Sequence, residues 1–337
     1  MSVWHGIECH YMPRWHCAPR AQRPAVRNTG EYSEGMTIAQ TLTKAQATGN
    51  DFLMFADDHG AYDPQPKEIA HVCNRHFGIG ADGVIRVTHP EYVADLTDAQ
   101  REELAKAHID WFMDYRNADG TLAQMCGNGA RATALFIQAM HLAVVTEGQP
   151  LRLGTRAGIK TLTPLADDPD LGTQLFRVDM GPWSIGEEDA YTVTVDAAVG
   201  EGKGTFVDMG NPHVVTVVED AFTSLPVLDN LDLSVRPVVE PGIDEGQNVE
   251  FVRIDEIDAA TDIGEATMRV YERGCGETMS CGTGLCATAI VLRAKTDISH
   301  WRIKVKGGTL RVDVTDNNVM LTGAAALVAT VQMMQER

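Results

Sequence analysis

Two stretches of this chain carry residues able to do acid–base chemistry as a pair. The first reads Met125-Cys126-Gly127-Asn128-Gly129-Ala130-Arg131-Ala132-Thr133-Ala134, the second Ser280-Cys281-Gly282-Thr283-Gly284-Leu285-Cys286-Ala287-Thr288-Ala289. Both follow Cys-Gly-x-Gly-x-x-Ala-Thr-Ala and continue into apolar runs, Leu135 to Ala139 and Ile290 to Ala294. A cysteine just ahead of glycines and an apolar helix stands at a helix N-terminus, where free backbone N–H groups and the macrodipole favour an anion. Such a position can lower a thiol from its ordinary pKa of ~8.5 to ~3.5–7.5. The same N–H groups bind carboxylates, and glycine lets the backbone come close to a ligand. Two such boxes facing each other across a cleft can take a proton from one face of a carbon and return one to the other, inverting the centre. The pair would titrate together, one proton shared between two thiols. No lysine context suggests a pyridoxal Schiff base, so the carbanion would rely on preorganised electrostatics, two helix N-termini aimed at one α-carboxylate.

The elements that must position these thiols are themselves duplicated. Cys126 and Cys281 lie 155 positions apart. Thr48-Gly49-Asn50 is answered by Met209-Gly210-Asn211, 161 positions on, and the stretch from Arg152 to Gly158 by that from Arg302 to Gly308, 150 positions on. A period this long indicates a half-chain unit used twice, not a solenoid of short repeats.

The 337 residues suit about two domains, and 44% apolar with 22% charged residues describes an ordinary globular composition. The formal charge of −19 argues against nonspecific nucleic-acid binding, and any carboxylate site must be made locally positive. No apolar run is long enough to span a membrane. The seven cysteines, Cys9, Cys17, Cys73, Cys126, Cys275, Cys281 and Cys286, are scattered and odd in number. That pattern points to free thiols in a cytoplasm, not to a secreted disulfide framework.

Along the chain, residues 1–35 show no helical or strand period and read as a disordered or mis-started N-terminus, with Met36 as an alternative start. His5, Cys9, His10, His16 and Cys17 there are not assigned to a metal. From Thr37 the pattern becomes strand-rich: Phe52 to Phe55 as a short strand, Pro66 to Phe77 as a helix, Gly83 to Val87 and His108 to Tyr115 as strands. Gly78 to Gly83 fits a dinucleotide fingerprint on paper, but a helix precedes it and a strand follows, so it reads as a turn. The first box opens a helix of about 13 residues, and a hairpin turns at Ala157-Gly158. Asp167 to Asp170 marks a domain boundary. Strands are then expected at Leu175–Met180, Tyr191–Val195, Phe206–Val218, Val249–Ile254 and Met268–Glu272, and the closing strands from Arg302 are expected to rejoin the first domain.

Taken together, Thr48-Gly49-Asn50-Asp51-Phe52, Asn117-Ala118-Asp119-Gly120, the first box, Gly210-Asn211-Pro212-His213, Asn248-Val249 and the stretch from Tyr271 through Glu272-Arg273-Gly274-Cys275-Gly276-Glu277-Thr278 into the second box resemble the diaminopimelate epimerases. The resemblance runs from about Lys44 to the end. It implies an α/β (α+β) fold of two pseudo-symmetric domains, each a curved mixed β-sheet wrapped around a central helix. The domains would span 36–168 with about 323–337, and 169–322. It implies a cofactor-independent enzyme without a metal, interconverting LL- and meso-2,6-diaminopimelate in lysine and peptidoglycan precursor biosynthesis, and acting as a homodimer.

By the same resemblance Cys126 and Cys281 are the paired acid and base. Asn50, Asn117, Asn211, Asn248, Glu272 and Arg273 would contact substrate, and the backbones of Gly127-Asn128 and Gly282-Thr283 would hold the reacting carboxylate. His213 and Glu272 would position or tune the thiols. Taken singly, Asn50, Asn117 and Asn211 are ordinary turn residues and His213 an ordinary structural histidine. The repeated spacing favours the site instead: Asn117 stands nine before Cys126, and Glu272 nine before Cys281. Where some relatives carry a glutamine contact, this chain has Gly83. The competing readings are a proline racemase or hydroxyproline epimerase of the same fold, and a non-catalytic amino-acid-binding protein.

Overall fold

The apolar runs after Thr37 become nineteen strands and four α-helices in the computed structural model, which describes residues 37–195, 200–221 and 223–334. The readings made for residues 1–35 and for Met36 lie outside the described residues. The first elements are β1 (Thr41–Ala47), β2 (Asn50–Asp57), α1 (Pro66–Cys73), β3 (Gly83–Thr88), α2 (Asp98–Lys106), β4 (Phe112–Asn117), α3 (Gly127–Ala139), β5 (Leu151–Thr155), β6 (Gly158–Leu165) and β7 (Leu175–Gly181). Next come β8 (Ser184–Ile185), β9 (Tyr191–Thr194), β10 (Glu201–Asp208), β11 (Pro212–Val217), β12 (Val238–Glu240), β13 (Asn248–Asp258), β14 (Ile263–Glu272) and β15 (Gly276–Glu277). The chain closes with α4 (Gly282–Thr296), β16 (His300–Val305), β17 (Gly308–Val314), β18 (Val319–Ala324) and β19 (Ala326–Gln332).

Strand pairing repeats in the two halves. In the first, β1 pairs antiparallel with β2, β2 parallel with β3, β3 antiparallel with β4, β4 parallel with β5, and β5, β6 and β7 run on antiparallel. In the second, β10, β11, β13, β14, β16, β17 and β18 follow the same sequence of senses. The halves are stitched by β7 against β18 and by β1 against β19, both antiparallel. Each parallel step needs a crossover, and α3 and α4 are the crossovers inside the two curves. Both helices are buried nearly all round, as expected of helices with no polar face. The Ala-Thr-Ala segments allow this: Ala132, Ala134, Ala287 and Ala289 are fully buried, and their small side chains let the sheet close around the helix axis. The architecture is thus a mixed α/β fold of curved sheet around two central helices.

Three expected elements differ. α1 stops at Cys73, four residues short of Phe77, because the Asn74 side chain accepts the N–H groups of His76 and Phe77 at 2.8 and 2.9 Å; such local bonding competes with the helix ladder. β4 begins at Phe112, not His108, whose left-handed φ of 52° turns the chain. The run from Phe206 to Val218 is two strands, reversing at Gly210 with a φ of 84°.

Candidate active site

Cys126 and Cys281 are the N-cap residues of α3 and α4. The Cys126 sulfur accepts the Gly129 N–H at 3.3 Å and donates to Asn50 Oδ1 at 3.5 Å. The Cys281 sulfur lies 3.5 Å from Thr283 Oγ1. The two helix starts meet: a Cβ on Gly282 would stand 3.4 Å from Gly127 Cα, and Asn128 Nδ2 donates to the Ser280 carbonyl at 3.1 Å. Both boxes therefore open on one place.

The turns behind them lock this arrangement. Gly307 donates its N–H to the Met279 carbonyl at 3.1 Å, and a Cβ on Gly307 would lie 1.8 Å from the Thr48 carbonyl oxygen. Only glycine permits that approach. The strand leading to Asn50 is thereby held against the loop leading to Cys281.

Asn50 donates to Asp82 Oδ2 at 2.7 Å, and its oxygen also receives Asn128 Nδ2 at 3.5 Å. Asn211 donates to Thr283 Oγ1 at 3.4 Å, and its oxygen lies 3.2 Å from His213 Nε2. His213 is fully buried and holds Glu250 Oε1 at 2.7 Å through Nδ1, an orientation fixed by the parallel register that sets His213 beside Asn248. The Asn248 oxygen accepts the Arg273 N–H at 2.8 Å. Glu272 accepts a hydrogen bond from the Thr278 hydroxyl, and its charge acts on Cys281. Cys126, Asn50, Asn128, Asn211, His213, Asn248 and Thr283, with Cys281 beside Thr283, are thus joined through side-chain bonds and the tie of Asn128 to Ser280. Gly127 and Gly282 meet at the helix starts, Arg273 is attached by its backbone, and Glu272 precedes it in the chain.

Two candidates sit differently. The Asn117 side chain donates to Thr121 Oγ1 at 3.0 Å inside its own turn. His213 bonds neither sulfur; its connection to Cys281 runs through Asn211 and Thr283. At Gly83, a Cβ would lie 2.5 Å from the Tyr115 ring, so Tyr115 occupies the space a longer residue would take. Sequence reading missed Tyr115, Glu250 and Arg236. The signal for Glu250, two residues past Asn248 on a strand alternating toward His213, becomes readable only once the register of β11 and β13 is known.

Beside the cluster is a cavity of about 540 Å³ lined by Arg236, Gln247, Tyr271, Arg273, Gly274, Cys275 and Gly276. Arg273 Nη1 donates to the Glu245 and Gly246 carbonyls at 2.8 and 3.4 Å, and among the described residues neither Arg236 nor Arg273 is one of the arginines paired with a carboxylate. Two unneutralised guanidiniums leave this cavity locally positive in a chain of net charge −19.

The expected lowering of the thiol pKa values is not what the packing gives. Burial pushes Cys126 up to about 11, against the lowering hydrogen bonds from Gly129 and Asn128, while Glu272 raises it further. Burial raises Cys281 as well, helped by Glu272 and Glu250 and opposed by Thr283 and Gly284. Glu272 is itself raised, first by burial. Helix N-termini favour a thiolate, but here desolvation, the larger effect, wins.

The buried thiols also set a stability trend. Burial raises Cys286, in the α4 interior, to about 12. A group raised on folding stabilises fully below its unfolded pKa near 9, and that stability is lost as pH climbs toward the folded value. Each unit is worth about 1.4 kcal/mol. The stability advantage of the wild type over Cys286→Ala is therefore expected to shrink by ~2–3 kcal/mol between pH 9 and pH 11. Denaturant unfolding under reducing conditions at the two pH values checks it, and a constant difference rejects it.

The family profile described as "Diaminopimelate epimerase" matches residues 42–185 and 205–328. A diaminopimelate epimerase from Corynebacterium glutamicum is 36% identical over 296 residues, covering 87% of this chain and 98% of that protein. One from Rhodococcus jostii is 37% identical over 299 residues, covering 86% and 95%. Among solved structures, a hydroxyproline epimerase from Agrobacterium vitis aligns with a TM-score of 0.56 at 14% identity, covering 87% of this chain and 90% of its own. A Bacillus anthracis phenazine biosynthesis protein of the PhzF family aligns at 0.58 and 13%, covering 88% and 99%. These last two likenesses speak for the fold alone. With the paired boxes, the doubled strand order and matches over most of the chain pointing one way, the chain belongs to the diaminopimelate epimerase family.

Proposed function

We propose that this protein is a cofactor-independent epimerase that interconverts LL- and meso-2,6-diaminopimelate by proton transfer between two thiols and one α-carbon. The observation that carries the reading is the meeting of the two boxes, each presenting a sulfur at a helix N-terminus and tied together through Asn128 and Ser280. In the reaction one sulfur, as thiolate, takes the α-proton and becomes a thiol; the bond electrons remain on the carbon. The other sulfur, as thiol, gives its proton to the opposite face and becomes the thiolate. Atoms and charge balance without a further reactant.

The reacting carboxylate would lie against the N–H groups of Gly127-Asn128 and Gly282-Thr283, where partial positive charge meets the negative charge developing beside it. Asn50, Asn211 and Asn248 suit the ammonium and carboxylate groups, and Asn117, opposite Gly83 in the register of β3 and β4, would be a further contact. Arg273, with Arg236 across the cavity, suits a second carboxylate at the far end of the substrate. Glu272 and the His213–Glu250 pair would set the protonation of Cys281. The free thiols Cys73, Cys126, Cys275, Cys281 and Cys286 favour a reducing compartment, and the cytoplasm is the compartment proposed.

Incubation with LL-diaminopimelate in deuterated water tests the reading. Deuterium is expected at the α-carbon of the inverted product, with no comparable turnover of proline. Binding without α-exchange would remove the catalytic claim, and preferential turnover of proline would favour the racemase alternative.

A further inference from the structure

The turn from Gly78 to Gly83 delivers a carboxylate to the edge of the site. The parallel register of β2 and β3 sets Gly83 opposite Phe52, so Asp82 falls beside Asp51 and Asn50. The two aspartates cap each other: Asp51 donates its N–H to Asp82 Oδ2 at 3.1 Å, and Asp82 donates its own to Asp51 Oδ1 at 3.0 Å. Adjacent carboxylates repel, and the Arg75 guanidinium stands between them, 2.7 Å from Asp51 Oδ1 and 2.8 Å from Asp82 Oδ1. Gly80 makes room for it: its φ is 85°, and a Cβ there would lie 3.1 Å from Arg75 Cα. Lys44 places a second cation on Asp51 at 2.6 Å.

Asp82 Oδ2 also accepts Asn50 Nδ2 at 2.7 Å. An asparagine amide fills nearly the same space in either of two orientations, related by exchange of its oxygen and nitrogen. A carboxylate only accepts, so the Asn50 nitrogen must face Asp82. Its oxygen then faces Cys126 Sγ and Asn128 Nδ2, each 3.5 Å away. The reversed amide would set two oxygens against each other at hydrogen-bond distance. The next amide is fixed in the same sense from the far end: Asn128 Oδ1 accepts Arg131 Nη2 at 2.9 Å, and its nitrogen donates to the Ser280 carbonyl at 3.1 Å. Donation therefore runs one way, from Arg131 through Asn128 and Asn50 to Asp82.

We propose that Asp82, neutralised by Arg75, is a positioning residue that locks the Asn50 amide with its oxygen toward Cys126. It acts on the reacting centre through Asn50 and is not itself a catalytic group. The inference rests on the two-thiol reading and adds to it the residue that orients a contact of the first thiol. The Arg75–Asp82 pair is open to solvent, with the two side chains 55% and 41% exposed, and exposed pairs contribute little to stability. Loss of Asp82 should therefore appear in turnover, with little change in melting temperature.

A double-mutant cycle on kcat/KM tests it. Asp82→Ala is expected to lower kcat/KM for diaminopimelate by about 10–100-fold, as loss of a charge-assisted hydrogen bond does. The same change made in Asn50→Ala should cost no more than about twofold, since the group it orients is gone. Asp82→Asn should recover most of the loss, because Asn50 Nδ2 and the Asp51 N–H converge on one oxygen that asparagine keeps. Equal losses in both backgrounds, no loss in Asp82→Ala, or an Asp82→Asn as poor as Asp82→Ala overturns the proposal. A purely structural role would lower the melting temperature and cost the same in both backgrounds. Nuclear magnetic resonance of the Asn50 side-chain amide, assigned by its disappearance in Asn50→Ala, reads the lock without turnover. The proton bonded to Asp82 is expected downfield in the wild type, upfield of that in Asp82→Ala, and near its wild-type position in Asp82→Asn. A wild-type proton at the shift of a free amide overturns the proposal whether or not Asp82→Ala folds. Because the resonance is read without substrate, a failed deuterium-exchange experiment and a failed lock remain distinguishable.

Discussion

Replacing either Cys126 or Cys281 by serine is expected to abolish inversion of diaminopimelate while leaving the protein folded. A positioned acid or base contributes about 10²–10⁴-fold, and a serine hydroxyl, far less acidic than a thiol, supplies neither role near neutral pH. The loss in kcat should therefore reach at least ~10³-fold in each variant. Folding should survive because both positions are N-caps, where serine is a favoured residue. At position 126 a hydroxyl can accept the Gly129 N–H that the sulfur accepts now. At position 281 it can keep the Thr283 contact. Chiral analysis of product and a thermal melt of each variant check the claim together. Full inversion by either variant would sink the pairing, since a single-thiol site cannot serve both faces of one carbon.

What was legible in the sequence was whatever depends on a few neighbouring residues. Cys-Gly-x-Gly ahead of an apolar alanine-rich run marked both helix starts, and α3 runs for 13 residues from Gly127 as the spacing indicated. The hairpin between β5 and β6 was readable from Ala157-Gly158, and Gly158 has the positive φ such a turn requires. The end of α1 was not readable, because the Asn74 side chain ends the helix against the apolar period. The single strand expected across Gly210 failed for a related reason: continuous apolar runs on both sides masked a two-strand hairpin.

The site divides along the same line. The thiols and the asparagines beside them belong to local motifs, and the fold does bring Asn50, Asn128, Asn211 and Asn248 into one bonded cluster. Glu250 and Arg236 arrive from distant segments by register and loop packing, which no spacing records. The sign of the thiol titration was misread for that reason. A helix N-terminus can be seen in sequence, but the degree of burial around it is set by the other half of the molecule.

Substituting Arg273 by alanine is the second large effect expected, and it bears on which substrate the cavity takes. A charge-assisted hydrogen bond contributes ~1.5–3 kcal/mol, and a guanidinium meeting a carboxylate commonly makes two. The expected loss in kcat/KM toward diaminopimelate is then about 10²–10⁴-fold, every ~1.4 kcal/mol being tenfold. Arg236→Ala should cost less, about tenfold, and appear mainly in KM, because its exposed side chain has no hydrogen bond holding it in place among the described residues and must be ordered on binding. The decisive comparison uses lysine, which carries the same reacting end but no distal carboxylate. Whatever residual α-proton exchange the wild type shows with lysine should be unchanged by Arg273→Ala. The variant should therefore shrink the preference for diaminopimelate over lysine by the full ~10²–10⁴-fold. Equal losses with both substrates would mean that the Arg273 guanidinium holds the loop at Glu245 and Gly246 and does not read the far end. A distal-carboxylate role requires the loss to fall on diaminopimelate alone, because only that substrate places a negative charge in the cavity between the two arginines.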